Sequence, residues 1–443
     1  VINATEAGGT IAVTGSVSGD VQDGDTVTLT VKGKAFTGTV AGGTFSIDVP
    51  GSDLVADSDS IVDASVSTTD TAGNSVTATD TEGYAVDTTA PLAPTVTITE
   101  DVDNDGFINS SELSGPVNVQ IDLPVGAVAG DTLVVTDGTT PQTIVLTATH
   151  IFNGNVTTTF ASPGDRNAIN VTAVITDIAG NVGSSASDSA LIDVTPPAAT
   201  ITLDSDITAD DVINATEAGS TIAITGATGG DVQPGDTVTL VINTKTYTGT
   251  VDSSGNFSID VDGSDLAADS NTTIDASVII SDAAGNSTIA TDTEGYLVDT
   301  VAPLAPVVAI TEDTNNDGYV DSSELSGDIN VTVTLPANAV AGDTLTITDG
   351  TTAQTVVLSS TDISNGNVLT TFASPGDGNT ISVSAFVTDV AGNTGATASD
   401  TAIVDTSISA TISLDTITAD SIINAAESTG SISVTGTVGG DVA

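Results

Sequence analysis

Residues 101–112 read DVDNDGFINSSE. Asp101, Asp103 and Asp105 stand at positions one, three and five of a twelve-residue loop, with Gly106 at six, Phe107 at seven, Ile108 at eight, Asn109 at nine and Glu112 at twelve. Alternate carboxylates, a main-chain carbonyl at seven and a closing glutamate are the hard oxygens that a calcium ion gathers in groups of roughly six to eight, and the glycine makes the sharp turn that aims them at one centre. The register returns at 313–324 with Asp313, Asn315, Asp317, Tyr319, Asp321 and Glu324. A third stretch, DSDITADDVINATE at 204–217, matches in part: Asp206 at one, Asp210 at five, Asn214 at nine, Glu217 at twelve. Asp211 occupies its glycine position, so its backbone path should differ; calcium is expected here too, with turn capping as the alternative. Near the chain start only the tail of the element is present, Asn3 and Glu6. Such loops ordinarily join two helices, yet helical periodicity is almost absent here.

The elements that must hold these loops are strands. In TVTLTV, Val27, Leu29 and Val31 alternate with threonines, and in NVQIDL, Val119, Ile121 and Leu123 do the same. A period of two with β-branched residues on the wet face describes a half-buried strand. Clusters of Gly, Asp, Asn and Ser break the pattern every 8–12 residues or so, which predicts about seven short antiparallel strands per repeat and an all-β, immunoglobulin-like sandwich. Phe45, Tyr84, Phe160, Tyr247, Phe257, Tyr296 and Phe372 read as core fillers.

Repeats organise the chain. VINATEAG at 1–8 returns at 212–219, and as IINAAEST at 422–429; DTEGYAVDTTAPLAP at 80–94 returns as DTEGYLVDTVAPLAP at 292–306. NDGFINSSELSG at 104–115 returns as NDGYVDSSELSG at 316–327. The long period contains two related halves, each with a D-x-AGN element and a V/I-D-x-T/S exit at Asp87, Asp193, Asp299 or Asp405. The reading is four tandem sandwiches, 1–90 (lacking its leading strand), 91–197, 198–302 and 303–407, and the start of another at 408–443. The opening VINATEAG recurs internally and is no signal peptide, so the chain is expected to be a piece of a longer one.

Charge narrows the partners. Fifty-nine acidic residues face four basic ones, for a net charge of −55. Phosphate binding needs clustered Lys and Arg, so nucleic acid is excluded, and docking on anionic membranes is disfavoured. No apolar run approaches the roughly 18 residues of a membrane span, so no direct membrane insertion is expected. With no cysteine, disulfides and thiolate metal sites are excluded. Self-repulsion on this scale is relieved by divalent cations, so the composition itself favours Ca2+ as the cofactor.

Strand direction predicts where the loops go. In a seven-strand sandwich the loop after the first strand and the exit aspartate share one pole, while the D-x-AGN hairpin turn sits at the other. The loop 101–112, Asp193 and the following repeat's Asp282 and Asn286 are thus expected at one junction. Glu6, Asp87 and Asp177 meet at the first, and Asp210, Glu217, Asp299 and Asp389 at the third. Whether the turn's Asp ligates metal or only closes a tight hairpin is open at this point. Calcium at each junction, with the proline pairs Pro91/Pro94, Pro196/Pro197 and Pro303/Pro306, would stiffen a linear array.

GDTVTLTV, YTGTV, FSIDV, D-x-AGN, VDTTAP and DNDG in tandem repeats resemble the extender region of giant bacterial surface adhesins of the RTX and biofilm-associated type, and the resemblance covers the whole chain. It implies immunoglobulin-like repeats that bind calcium near their junctions, adjoin further repeats of one long chain, and hold a distal adhesive domain away from the cell. It implies type I secretion and an extracellular, cell-surface location. The alternation of two repeat types departs from a uniform array, so junctions should alternate in stiffness or metal count. An enzyme is not expected: GxSxG, HExxH and phosphate loops are absent, and the single histidine, His150, reads as a surface residue at a strand end. The alternatives are a carbohydrate- or cell-binding module in its own right, and self-association of arrays.

Overall fold

The computed structural model describes residues 1–441; the last two residues of the 408–443 segment lie outside the described residues. The alternating stretches form strands throughout. In the second sandwich Thr95–Ile98, Val117–Asp122 and Asn155–Phe160 make a three-stranded sheet. Facing it is a sheet of Gln142–Val145, Thr132–Thr136, Ala168–Thr176, Ala186–Ile192 and Phe107–Ile108. Between them Val119, Ile121, Leu133, Val135, Val171, Ile175 and Ile192 are buried, while the alternate threonines face outward or lie at the rim. The fourth sandwich repeats this arrangement.

The other type differs at its edges. In the third sandwich Ala199–Leu203, Thr221–Gly230 and Asn256–Asp262 face Lys245–Thr250, Thr237–Ile242, Thr273–Ser281 and Ser287–Gly295. In the first sandwich the smaller sheet has two strands, Thr10–Ser16 and Thr44–Pro50. By contact the chain falls into two compact units, Val1–Pro197 with the turn Ile280–Thr288, and Ala198–Ile279 with the residues from Ile289 on.

Two features depart from the sequence reading. The sandwiches are not wholly antiparallel: Phe107–Ile108 pair in parallel with Leu191–Ile192, Val212–Ile213 with Leu297–Val298, and Tyr319–Asp321 with Ile403–Asp405. Ile2 makes the same bridge to Val86. His150 does not end a strand. It lies in the helix Ala148–Asn153, where its Nδ1 accepts the Thr147 N–H and completes a capping box. Helices of four to six residues are too short to show a helical period in sequence.

Two glycines are dictated by close approach. A side chain at Gly51 would place its Cβ 1.9 Å from the Glu6 carbonyl oxygen, and one at Gly263 would come 2.0 Å from that of Glu217. Here the helices Gly51–Val55 and Gly263–Ala268 press against the ends of the partial loops. The following tyrosine locks the same corner: Tyr84 Oη donates to the Leu54 carbonyl at 2.7 Å, and Tyr296 Oη to that of Leu266 at 2.9 Å.

Burial, and then the charge of Asp57, push the Tyr84 phenol up from its ordinary 10.0 to about 12. Folding therefore holds the proton more tightly than the unfolded chain does. The contribution is complete below pH 10 and is lost as pH rises from there through about 12. Tyr84→Phe should cost about 1 kcal/mol near neutral pH through the lost hydrogen bond. It should also flatten the alkaline loss, read by hydrogen exchange of the strand Ile61–Thr69 across that window.

Candidate metal centres at the repeat junctions

The loop 101–112 is anchored at its middle by its own short strand. Ile108 is fully buried in the second core, and its carbonyl accepts the Asp193 N–H at 3.1 Å. The parallel pairing thus sets Asp193 beside the loop. Asn104 and Gly106 take positive φ of 57° and 90°, which turn the chain back on itself. Carboxylate oxygens of Asp101, Asp103 and Asp105 come within 4.8 Å of one another, the one acidic trio to do so among the described residues. Two unit charges at such a distance repel by about 1 kcal/mol in water, and more where water is partly excluded.

Asp101 carries a further cost, that of burial. Burial pushes its carboxyl up from the ordinary value; the Gly106 and Asp105 amides pull it back, and the Asp105 charge raises it again. A carboxyl raised by folding loses stability as pH rises from its unfolded value through its folded one, and the loss is complete above that. The donor set fits a hard divalent cation: three converging carboxylates, with the Phe107 carbonyl at the seventh position. Glu112 closes the loop, its Oε1 accepting the Val102 N–H and its Oε2 the Asn109 N–H, both at 3.0 Å.

The loop 313–324 is built alike. Asp313 accepts the Asp317 and Gly318 amides, Asn315 Nδ2 donates to Asp317 Oδ2, and Glu324 accepts the Thr314 and Asp321 amides. Tyr319 and Asp321 pair with Ile403 and Asp405, so Asp405 lies beside position nine. The third loop spends its carboxylates on caps. Asp210 Oδ1 accepts from the Thr208 hydroxyl and the Val212 N–H, and Asp206 is exposed. Asp211 holds a positive φ of 59° where the other loops have glycine, so the path differs mainly at position four.

Position nine turns out to be a cap. Asn109 Oδ1 accepts the Ser111 and Glu112 amides; Asn3, Asn214 and Asp321 do the same for their glutamates. Sequence reasoning also missed Glu100. It is 4% exposed and accepts from the Ser114 N–H and hydroxyl and from Asn118 Nδ2, tying the loop entrance to its exit. Burial alone would raise its carboxyl; these hydrogen bonds outweigh it and hold the group below the ordinary range.

The D-x-AGN turns meet the loops and exits as strand direction predicts. Asn286 Oδ1 accepts the Ser110 N–H and its Nδ2 donates to the Asp193 carbonyl, both at 2.8 Å. Asn181 accepts the Ala4 N–H at 2.7 Å and donates to the Asp87 carbonyl at 2.8 Å. Asn393 accepts the Ala215 N–H at 2.7 Å and donates to the Asp299 carbonyl at 2.8 Å. Each of the three asparagines is 3% exposed, while Asn74 of the first turn is exposed. The turn aspartates work within their own turns: Asp282, Asp177 and Asp389 each accept the amide N–H and the Nδ2 of their asparagine. For Asp177, burial opposes ionisation, and the bonds from Asn181 outweigh it and lower the carboxyl. The asparagine, not the aspartate, is therefore the side chain that bonds both loop and exit.

Asn286→Ala removes two hydrogen bonds made by a buried side chain, to the Ser110 N–H and the Asp193 carbonyl, and should loosen the 106–115 segment by about 2 kcal/mol, read by hydrogen exchange. Asn74→Ala, in the exposed turn, should cost less than about 1 kcal/mol.

No protein-family model matches the chain, and no curated protein aligns with it. Solved structures do. One is of a Ca2+-stabilised adhesin that helps an Antarctic bacterium reach out and bind ice, 38% identical, covering 91% of this chain and 96% of that one, with a TM-score of 0.51. Another, concerned with host cell surface retention of a 1.5-MDa bacterial ice-binding adhesin, is 41% identical over 68% of this chain and 94% of that one, at a TM-score of 0.39. A bacterial immunoglobulin-like domain from the M. primoryensis ice-binding adhesin is 55% identical over 23% of this chain and 99% of the domain, at 0.22. With sandwiches, junction loops and near-complete coverage at 38% identity, this chain belongs to the family of extender-region immunoglobulin-like repeats of large bacterial adhesins.

Proposed function

We propose that this chain is a spacer in a bacterial cell-surface adhesin, made stiff by calcium at its junctions so that a distal adhesive domain is held away from the cell. The carrying observation is the convergence of Asp101, Asp103 and Asp105 beside Asp193 and the Asn286 turn. Carboxylates that repel one another there are relieved by a cation, and an ion held at that point ties the loop to its surroundings.

Asp101, Asp103, Asp105, the Phe107 carbonyl and Glu112 would hold calcium in the second sandwich, and Asp313, Asn315, Asp317, the Tyr319 carbonyl and Glu324 in the fourth. Bound calcium supplies charge neutralisation and a fixed loop, and no bond is made or broken. Asp193 and Asp405 stand as further candidates at these sites, while Asp282 bonds the asparagine of its own turn. At the junctions with partial loops the candidates left are Glu6, Asp87, Asp206, Glu217 and Asp299, because Asp210 and Asn214 cap the third loop and Asp177 and Asp389 bond the asparagines of their own turns. An affinity of about 10⁻⁴–10⁻³ M suffices where calcium is plentiful outside the cell. The chain accordingly works outside the cell, as a non-enzymatic segment exported by type I secretion, with neighbouring repeats as its immediate partners. Among the described residues no helix is long and apolar enough to cross a membrane.

Calcium should raise the thermal midpoint, since an ion that binds only the folded loop stabilises it by mass action. It should also lengthen the maximum dimension in small-angle scattering relative to chelator. An unchanged midpoint and dimension would sink the proposal. Asp101→Asn with Asp105→Asn should abolish the calorimetric calcium signal of the second sandwich and spare that of the fourth.

A further inference from the structure

The strand that follows the D-x-AGN turn begins differently in the two kinds of sandwich. In the first and third it starts at once, at Ser75 after Asn74 and at Ser287 after Asn286. In the second it waits from Asn181 until Ala186, and in the fourth from Asn393 until Ala398. The residues between touch the neighbouring strand through one bridge only, Val182 with Thr176 and Thr394 with Thr388. The delay leaves a notch in the edge of the sheet.

The entering linker lies in that notch. A Cβ on Gly183 would stand 2.6 Å from the Pro91 carbonyl oxygen, and one on Gly395 would stand 2.4 Å from that of Pro303. Neither glycine takes a positive φ, so space and not backbone freedom requires it. The same place holds Val76 in the first sandwich and Thr288 in the third. A branched side chain there would occupy the position of the proline carbonyl. The linker's second proline is buried in both copies, as Pro94 and Pro306, whereas Pro196 of the other linker type is exposed. In the fourth sandwich Asn338 Oδ1 adds a bond from the Leu304 N–H at 3.0 Å.

The exit linker of these sandwiches is held by a carboxylate of the SPGD loop. Asp165 Oδ1 accepts the Val194 N–H at 2.8 Å, and its Oδ2 accepts the Thr195 hydroxyl at 2.6 Å. Asp377 accepts the Thr406 N–H and the Ser407 hydroxyl, each at 2.6 Å. The hydroxyl and amide bonds hold both carboxyls below the ordinary range. The exits of the first and third sandwiches are built otherwise. Asp87 and Asp299 accept the Thr89 and Val301 amides of their own linkers. Among the described residues no carboxylate from the body of either sandwich bonds its exit linker.

We propose that the second and fourth sandwiches are docking blocks for the linkers on both of their sides. The notch over Gly183 or Gly395 is the surface that takes a Pro-Leu-Ala-Pro linker from the sandwich before. Asp165 or Asp377 then fastens the linker that leaves. The notch also fixes the order of the repeats: a Pro-Leu-Ala-Pro linker needs a glycine two residues after the asparagine of the next turn, and a sandwich with valine or threonine there cannot seat it. The seat is steric and the clasp is a pair of hydrogen bonds, so this bracing asks nothing of calcium.

Limited proteolysis of the full chain in chelator, with a broad-specificity protease and the cuts mapped by mass, tests this. Gly183→Val should speed cleavage within residues 88–93 by about fivefold or more and leave 193–197 unchanged. Asp165→Ala, at a position outside the core, should do the reverse, and should also speed exchange of the Val194 amide. Thr288→Gly, which alters the same place in the third sandwich, should change neither linker. Hydrogen exchange of the strand Val117–Asp122 reports whether the second sandwich stays folded. If Gly183→Val unfolds it, Gly183→Ala is read in the same way. Either linker resisting its own variant in a folded sandwich, or each variant loosening both linkers alike, would overturn the proposal.

Discussion

A buried carboxamide must find both a donor and an acceptor, or the fold pays for it with about 1–3 kcal/mol per unpaired group. Asn181, Asn286 and Asn393 meet that demand in one way: each accepts from a loop amide and donates to an exit carbonyl. These bonds are short-ranged and directional and involve no net charge. In a chain with a net charge of −55 that matters, since long-range electrostatics pushes every segment apart. A neutral amide fixes which loop meets which turn without adding to that repulsion, and its partners lie in the backbone, where side-chain variation does not remove them.

The amide can reach the loop only because the loop is a piece of the sheet. Positions seven and eight form a short parallel strand, which runs on to position nine in the 313–324 loop, against the last strand of the same sandwich. Ile108 and Val320 at position eight are fully buried, so the hydrophobic core holds the loop from beneath. The isoleucine of the calcium-loop pattern therefore does in a sandwich what helices do in the loop's ordinary setting: it fixes the middle of the loop, so that carboxylates on either side can be aimed. Glu100 and Glu112 close the two ends, each by hydrogen bonds that span the loop.

The strands, the two sandwich types and the poles at which loops and turns meet were legible in the sequence, because alternation and repeat spacing are local or periodic signals. Val119 and Ile121 declare their face two residues apart. The parallel pairs were not legible, since two residues such as Phe107 and Ile108 carry no period. Nor was the asparagine's role. The partners of Asn286 are 176 and 93 residues away, and the AGN sequence is also what any tight hairpin would use. Glu100 escaped because it adjoins a run of acidic residues and looks like one more of them; only its burial among Ser114 and Asn118 sets it apart. His150 was misplaced because a six-residue helix leaves no pattern to read.

The two loop types divide the work at the junctions. The asparagine bonds are present at all three, including the first, where the loop is reduced to Asn3 and Glu6, and the third, where Asp210 is committed to a cap. Converging carboxylates belong to the 101–112 loop, where burial raises the Asp101 carboxyl. Register and stiffness are thus supplied by different groups. The amide sets the register in every junction and is indifferent to ions. The carboxylate cluster adds a repulsion that a bound cation would cancel. If calcium binds as proposed, a joint of this kind would keep its asparagine bonds when calcium falls and lose only what the ion adds, whereas a joint held by carboxylates alone would come apart.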